Sequence, residues 1–202
     1  MEASRTGNGL LGCDWRFIDR NYLGNFFISH YKRDFLNSSF GNFVVLQDKE
    51  GVIYVGNVRN GLIEFDGQRV RRVLQNGKPM SAFIRDAVTD SKNTIYLGFN
   101  GTGFGYLQKN KFGQNEYISL SDKLPKKDEV TSTFWGLVVR QDTVFFQTEN
   151  AVYLFKDKKY LRSYKFKDDI HIILSSPDGV YLRVWGKGLF KFSQKAGFSV
   201  IK

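Results

Sequence analysis

The sequence predicts an all-β fold in which one four-stranded antiparallel unit is used about four times, and three observations carry that reading. Short runs rich in Val, Ile, Tyr and Phe alternate with turns built on Gly, Asp and Asn, the composition of hairpins rather than of helices. One stretch, Gln47-Asp48-Lys49-Glu50-Gly51-Val52-Ile53-Tyr54-Val55-Gly56-Asn57 continued by Gly61-Leu62-Ile63-Glu64-Phe65-Asp66-Gly67, sets an order of turn, strand, turn and strand that recurs along the chain. Its markers Tyr54, Tyr96, Phe145 and Tyr181 are spaced by roughly 42, 49 and 36 residues, inside the window where repeats form arrays. Four-stranded units at this period are blades, so the expected architecture is an incomplete or open β-propeller. No stretch shows sustained 3.6-residue amphipathicity with caps, which argues against a helical bundle or a doubly wound α/β fold.

Residues 1–21 carry Gly7, Gly9 and Gly12 without a clear period and read as a poorly ordered lead-in, with a partial propeller from 22 to 202. Within it, 26–31 looks like an isolated strand without a hairpin partner, of the kind that completes a later blade. The first blade occupies about 42–74. Asp48 to Gly51 is a tight turn, because Gly tolerates positive φ and Asp bonds to nearby backbone, and Asp66-Gly67 turns the chain into an outer strand from Gln68 to Leu74. The loop from Gln75 to Ser81 leads to the second blade, 83–120, with a turn at Asp90 to Asn93. The insert Ser121 to Ser132 is longer and highly charged, with room for a helical turn, and accounts for the widest spacing. The third blade, 133–166, turns at Gln141-Asp142, and the fourth, 170–202, turns at Ser176 to Gly179.

Composition narrows the function classes. Across 202 residues, 42% hydrophobic and 16% aromatic, there is enough apolar material for a sizeable core. Cys13 is the only cysteine, so neither an intrachain disulfide nor a cysteine-based zinc site can form. No run approaches the roughly 20 apolar residues that a membrane helix needs, and the N-terminus lacks the apolar core of a secretory signal. The net charge of +10 raises the question of a polyanion partner. Its positives are scattered, however, and in Arg69 to Arg72 and Lys156 to Lys167 they alternate with apolar residues as on half-solvated outer strands. Nucleic acid is therefore an unlikely partner.

Chemistry-bearing motifs are sparse. Gly101-Thr102-Gly103-Phe104-Gly105 follows a strand but has the wrong glycine spacing for a dinucleotide loop and no helix behind it, so these are turn glycines. His30 and His171 lack any paired-ligand spacing, and His171 reads as a blade residue. Asp168-Asp169, the only adjacent aspartate pair, reads as a solvated turn. A hydrolase or lyase would have to gather carboxylates such as Asp86, Asp168 and Glu116 at the pore. No catalytic, cofactor or metal site is assigned. Tyr54, Tyr96, Phe145 and Tyr181, equivalent in the second strand of each blade, are candidates for core packing or, if they ring a pore, for stacking on sugars or bases.

The segment QDKEGVIYVGNVRNGLIEFDG resembles the repeat of two-component regulator propellers: an Asp-x-x-Gly turn, an aromatic strand ending in Gly, then Gly-Leu and an aromatic. The chain is similar to the N-terminal sensor propeller of bacterial ligand-binding signalling proteins, of the kind in Bacteroidetes and Leptospira. The likeness is carried by Phe43 to Gly67, Ile95 to Leu107 with Gly113 and Tyr117 to Pro125, and Val144 to Phe155; it covers about Tyr22 to Lys202. The resemblance implies a sensor that binds rather than catalyses, in a periplasmic or otherwise extracytoplasmic setting, without a cofactor. Its ligand would be a small molecule, carbohydrate in some relatives. Further blades, a β-sandwich spacer, a membrane helix and a kinase, cyclase or DNA-binding output follow in that family and are absent from this sequence. Four blades leave one face without a neighbour, so the expectation is a fragment, or an assembly in which self-association or further blades cover that edge.

Overall fold

Each repeat begins with an inner strand that carries one extra residue directly after its first paired position, and this irregularity fixes the geometry of all four blades. In the computed structural model, which describes residues 41–201 apart from positions 59 and 102, the first blade comprises β1 (Asn42–Gln47), β2 (Ile53–Asn57), β3 (Gly61–Phe65) and β4 (Val70–Arg72). Two short strands follow, β5 (Leu74–Gln75) and β6 (Lys78–Pro79). The second blade is β7 (Ile84–Thr89), β8 (Ile95–Phe99), β9 (Phe104–Lys109) and β10 (Asn115–Ser119). The third is β11 (Phe134–Arg140), β12 (Thr143–Thr148), β13 (Ala151–Lys156) and β14 (Lys159–Lys165), and the fourth is β15 (Ile170–Ser176), β16 (Gly179–Val184), β17 (Gly188–Ser193) and β18 (Gly197–Val200). Strands pair in sequence order within every blade, all antiparallel, giving an open propeller arc of four blades. The expected lead-in 1–21 and the strand 26–31 lie outside the described residues.

Two stretches differ from the sequence expectation in detail. The outer strand of the first blade stops at Arg72, and Leu74 instead crosses to the next blade, pairing in parallel with Glu116. The expected loop 75–81 is partly the hairpin β5–β6, which extends the second sheet to six strands; Asn76 and Gly77, both at positive φ, form its turn. The charged insert holds two short 3-10 turns, Ser121–Lys123 and Lys126–Asp128.

The turn at the far end of each first hairpin follows from side-chain chemistry. Asp48 Oδ1 accepts from the backbone N–H of Glu50 and of Val52, each at 2.9 Å, and Asp90 Oδ1 repeats this with Lys92 and Thr94 at 2.9 and 2.8 Å. The third blade lacks such an aspartate anchor and instead turns on Gln141 and Asp142, both at positive φ, the conformation that matches strand twist in a two-residue hairpin. These turns are tied to one another: Lys49 N–H donates to Asn93 Oδ1 at 2.9 Å, Ser91 hydroxyl to Asp142, and Arg140 to the carbonyls of Ser176 and Pro177.

Blades stack through a repeated contact. The register places Gly56, Gly98, Gln147 and Arg183 at equivalent positions, each opposite the inner-strand residue that follows the bulge. In the first three blades this position receives the first residue of the next inner strand. A Cβ on Gly56 would lie 2.9 Å from Ile84, one on Gly98 would overlap the Phe134 ring, and Gln147 Nε2 donates to the Ile170 carbonyl at 2.9 Å. Around these anchors lie three hydrophobic clusters, one for each pair of successive blades. Phe104, Phe134 and Phe146 belong to the cluster between the second and third blades, with the Phe104 and Phe146 rings stacked at 4.3 Å. The third-strand residues paired with the anchor positions show what the stacking does: Leu62, Phe104 and Val152 are each 0% exposed, whereas Leu189 of the last blade is 44% exposed. Ile172 and Leu174 on the same face of that blade are exposed as well.

Two substitution pairs test this packing by urea unfolding. Leu62→Ala removes a fully enclosed side chain and is expected to cost about 2–5 kcal/mol, while Leu189→Ala is expected to cost less than about 0.5 kcal/mol; equal losses would mean that the outer face of the fourth blade is covered in solution. Gly98→Ala, whose added methyl collides with Phe134, is expected to lose about 1–3 kcal/mol, whereas Gly113→Ser, in an open turn, should lose only what its positive φ costs.

Candidate ligand-binding site

The extra residue of each bulge is Phe43, Arg85, Trp135 and His171 in turn. A bulge turns the local side chain away from the regular alternation of the strand, which is how sheets re-aim side chains beside functional sites. Three of these residues, each with its chain successor, converge on one cavity of about 440 Å³: Arg85 and Asp86, Trp135 and Gly136, His171 and Ile172. Phe83, Gln147 and Ile173 complete its wall.

The connections at this end hold the rim. Asn100 N–H donates to the Phe83 carbonyl at 2.9 Å, Glu149 N–H to Thr133 at 2.8 Å and Trp185 N–H to Asp169 at 2.8 Å; in each case the loop after the second strand clasps the segment entering the first. The Gly101 and Glu149 carbonyls then accept from the N–H of Phe134 and of Ile170, the first residue of the following blade.

Each polar side chain in the cavity has a distinct setting. The Arg85 guanidinium lies over the Trp135 indole, 3.8 Å from the ring centroid, and its Nη1 donates to Asn100 Oδ1 at 3.1 Å. The imidazole of His171 stacks on Trp185 at 4.8 Å. Trp135 and Trp185 remain 44% and 61% exposed, so aromatic surface is open at the rim. Asp86 uses both carboxylate oxygens internally: Oδ1 accepts from its neighbour Ala87 N–H at 2.9 Å, and Oδ2 from Leu137 N–H across the blade boundary at 3.0 Å. Burial pushes its pKa up, and these two bonds only partly oppose that. Gln147 is committed to the Ile170 carbonyl through Nε2.

The four aromatics singled out from the sequence do occupy equivalent positions on the second strands, but on the face that receives the next blade. Tyr54, Tyr96 and Phe145 are buried in the interblade clusters, and Tyr181 is half-buried. None of them lines the cavity. Tyr54 donates its hydroxyl to Asp48 at 3.3 Å and accepts from Asn115 Nδ2 at 3.1 Å, and its burial beside the carboxylates of Asp48 and Glu64 raises its pKa. Tyr181 donates to Asp178, whose carboxyl is held well below its ordinary range by Ser176, Tyr181 and Lys191. The carboxylates considered for catalysis are dispersed: Asp86 lines the cavity, Asp168 faces Lys187 at 3.8 Å, and Glu116 accepts from the Gly77 N–H on the outer strand of the second blade. Among the described residues, no group of three His, Cys, Asp or Glu side chains is placed to hold a metal ion.

No family model matches the sequence, and no curated protein matches it. Solved structures do. The chain is similar to the extracellular domain of BT4673 from B. thetaiotaomicron, assigned to a hybrid two component system, at 20% identity and a TM-score of 0.57 over 82% of this chain and 22% of that one. A virginiamycin B lyase from Staphylococcus aureus, solved as a catalytically inactive variant with quinupristin, gives a TM-score of 0.60 at 11% identity over 80% of this chain and 55% of that one. The WD40 β-propeller domain of Doa1 gives 0.55 at 11% identity, covering 79% and 53%. At these identities the likeness establishes the fold, a β-propeller. The chain spans 22% of the length of the BT4673 domain and 53–55% of the other two. The first of these matches belongs to a two component system, the kind of protein whose propeller repeat the sequence resembles.

The raised pKa of Asp86 has a signed consequence. An acid whose folded pKa lies above its ordinary value near 3.8 holds more protons folded than unfolded, so its contribution to stability is fullest in acid and is lost as pH rises through the raised value. Asp86→Asn removes this dependence. The variant should carry a constant loss of about 1–3 kcal/mol for the one N–H that the amide leaves without an acceptor, and from that lower level its stability relative to the parent should increase as pH rises above the ordinary carboxyl range. A relative stability independent of pH in urea titrations would contradict the assignment.

Proposed function

We propose that this chain is a ligand-sensing β-propeller module of a bacterial signal-transduction protein of the two-component regulator kind, working outside the cytoplasm and binding its ligand without chemical turnover. The observation that carries the reading is the row of bulge residues, Arg85, Trp135 and His171, delivered by three successive blades to one cavity with exposed indole surface beside it. Flat apolar rings with adjacent hydrogen-bonding groups suit a small cyclic ligand such as a carbohydrate, because the ring stacks while the polar groups fix its orientation. The fold shared with a two-component system's extracellular domain supports the same reading. The four aromatics on the second strands lie outside that cavity, and Tyr181, the most exposed of them, is engaged with Asp178 at the turn end of the last blade.

A second reading, a protein-interaction scaffold, is favoured by one observation, the exposed apolar face of the fourth blade with Ile172, Leu174 and Leu189. Self-association or docking of further blades through that face is compatible with ligand sensing.

A thermal-shift screen against oligosaccharides tests the first reading. A ligand at 100 times its dissociation constant adds about 2.7 kcal/mol of stability. Trp135→Ala, a rim substitution, should abolish that shift while leaving the melting temperature of the free protein nearly unchanged. A shift that survives Trp135→Ala places binding elsewhere, and a full set of sugars without a shift removes the carbohydrate assignment.

A further inference from the structure

The charges around the cavity are unbalanced. Among the described residues Arg85 meets the Trp135 ring and the Asn100 amide oxygen, and both are neutral. Among the described residues no ion pair involves Arg85, His171 or Arg183. Arg183 lies on the strand beside His171's, paired with Ile172 of the cavity wall, and is exposed. The only carboxyl in the wall among the described residues is Asp86, and both its oxygens accept from backbone N–H groups.

A guanidinium has five N–H donors in a planar fork, and Arg85 spends one of them on Asn100. The indole beneath and the amide beside it hold the group in place, so little side-chain freedom is lost when a ligand arrives. A fixed fork with free donors and, among the described residues, no ion-pair partner matches a planar or tetrahedral oxyanion, which accepts two parallel hydrogen bonds.

Resting on the binding role assigned above, we infer that the cavity selects a ligand bearing an oxyanion, a carboxylate or a sulfate, and that Arg85 is the residue that receives it. The cyclic body of the ligand lies against the open aromatic surface at the rim. Arg183 and the overall charge of +10 attract such a ligand from a distance without contacting it.

Benzoate and its neutral isostere benzamide test the inference, with the indole N–H resonance of Trp135 followed by NMR on the full chain. Benzoate should shift the resonance saturably, and benzamide should bind about tenfold more weakly, equivalent to about 1.4 kcal/mol. Arg85→Gln should bring benzoate down to the level of benzamide. Added NaCl should weaken benzoate but not benzamide in the parent protein, a comparison that does not depend on the variant folding. Equal binding of the two probes, or a benzoate preference that persists in Arg85→Gln, would overturn the oxyanion inference and leave the cavity as a neutral binding site. Failure of both probes to move the Trp135 resonance would overturn the inference together with the binding role of the cavity.

Discussion

The structure depends on one repeated contact, in which the first residue of an inner strand seats on a single position of the preceding blade. Gly56 admits Ile84 and Gly98 admits Phe134 because neither presents a side chain, while Gln147 meets Ile170 by bonding its carbonyl. Size alone does not sort the solutions, since Ile84 meets a glycine and Ile170 a glutamine, but the largest incoming residue, Phe134, requires the glycine it would otherwise overlap. Close packing at these points excludes water from the strands on either side, which is why Leu62, Phe104 and Val152 are enclosed. The bulge follows the seated residue immediately, so the contact that stacks the blades also decides where Arg85, Trp135 and His171 emerge.

The two ends of the blades are held by different chemistry. At the turn end, the Lys49 ammonium reaches the Ser91 carbonyl and the side chains of Ser91 and Arg140 reach the next turn, and these bonds are largely exposed, so each contributes little by itself. At the cavity end the ties are between backbone groups, as where Glu149 donates to Thr133 and accepts from Ile170. Backbone ties do not depend on side-chain identity, which leaves the side chains of that rim free to carry recognition.

Much of the fold was legible in the sequence because its causes are local. Asp48 and Asp90 cap their own turns, and apolar alternation marks the strands around them, so the repeat, its order and the equivalence of Tyr54, Tyr96, Phe145 and Tyr181 could be read directly. The crossing of Leu74 to the second blade was not legible, since its pairing partner Glu116 is remote in sequence. The site was harder still. The second-strand aromatics drew attention by size, yet the face they occupy is filled by a neighbouring blade, and that is a tertiary fact. Arg85, Trp135 and His171 are unlike one another and stand ten or eleven positions before the marker of their repeat. Aligning the repeats on that marker, with a one-residue gap for the longer turn of the second blade, would have shown a column of cation, indole and imidazole.

That column has an evolutionary corollary. A bulged position is excused from the ladder and from the interblade seat, so replacing its side chain leaves the architecture intact. The cavity is thus composed like a short word, one letter from each blade, and point mutation at three positions can rewrite what it says without asking the scaffold to refold.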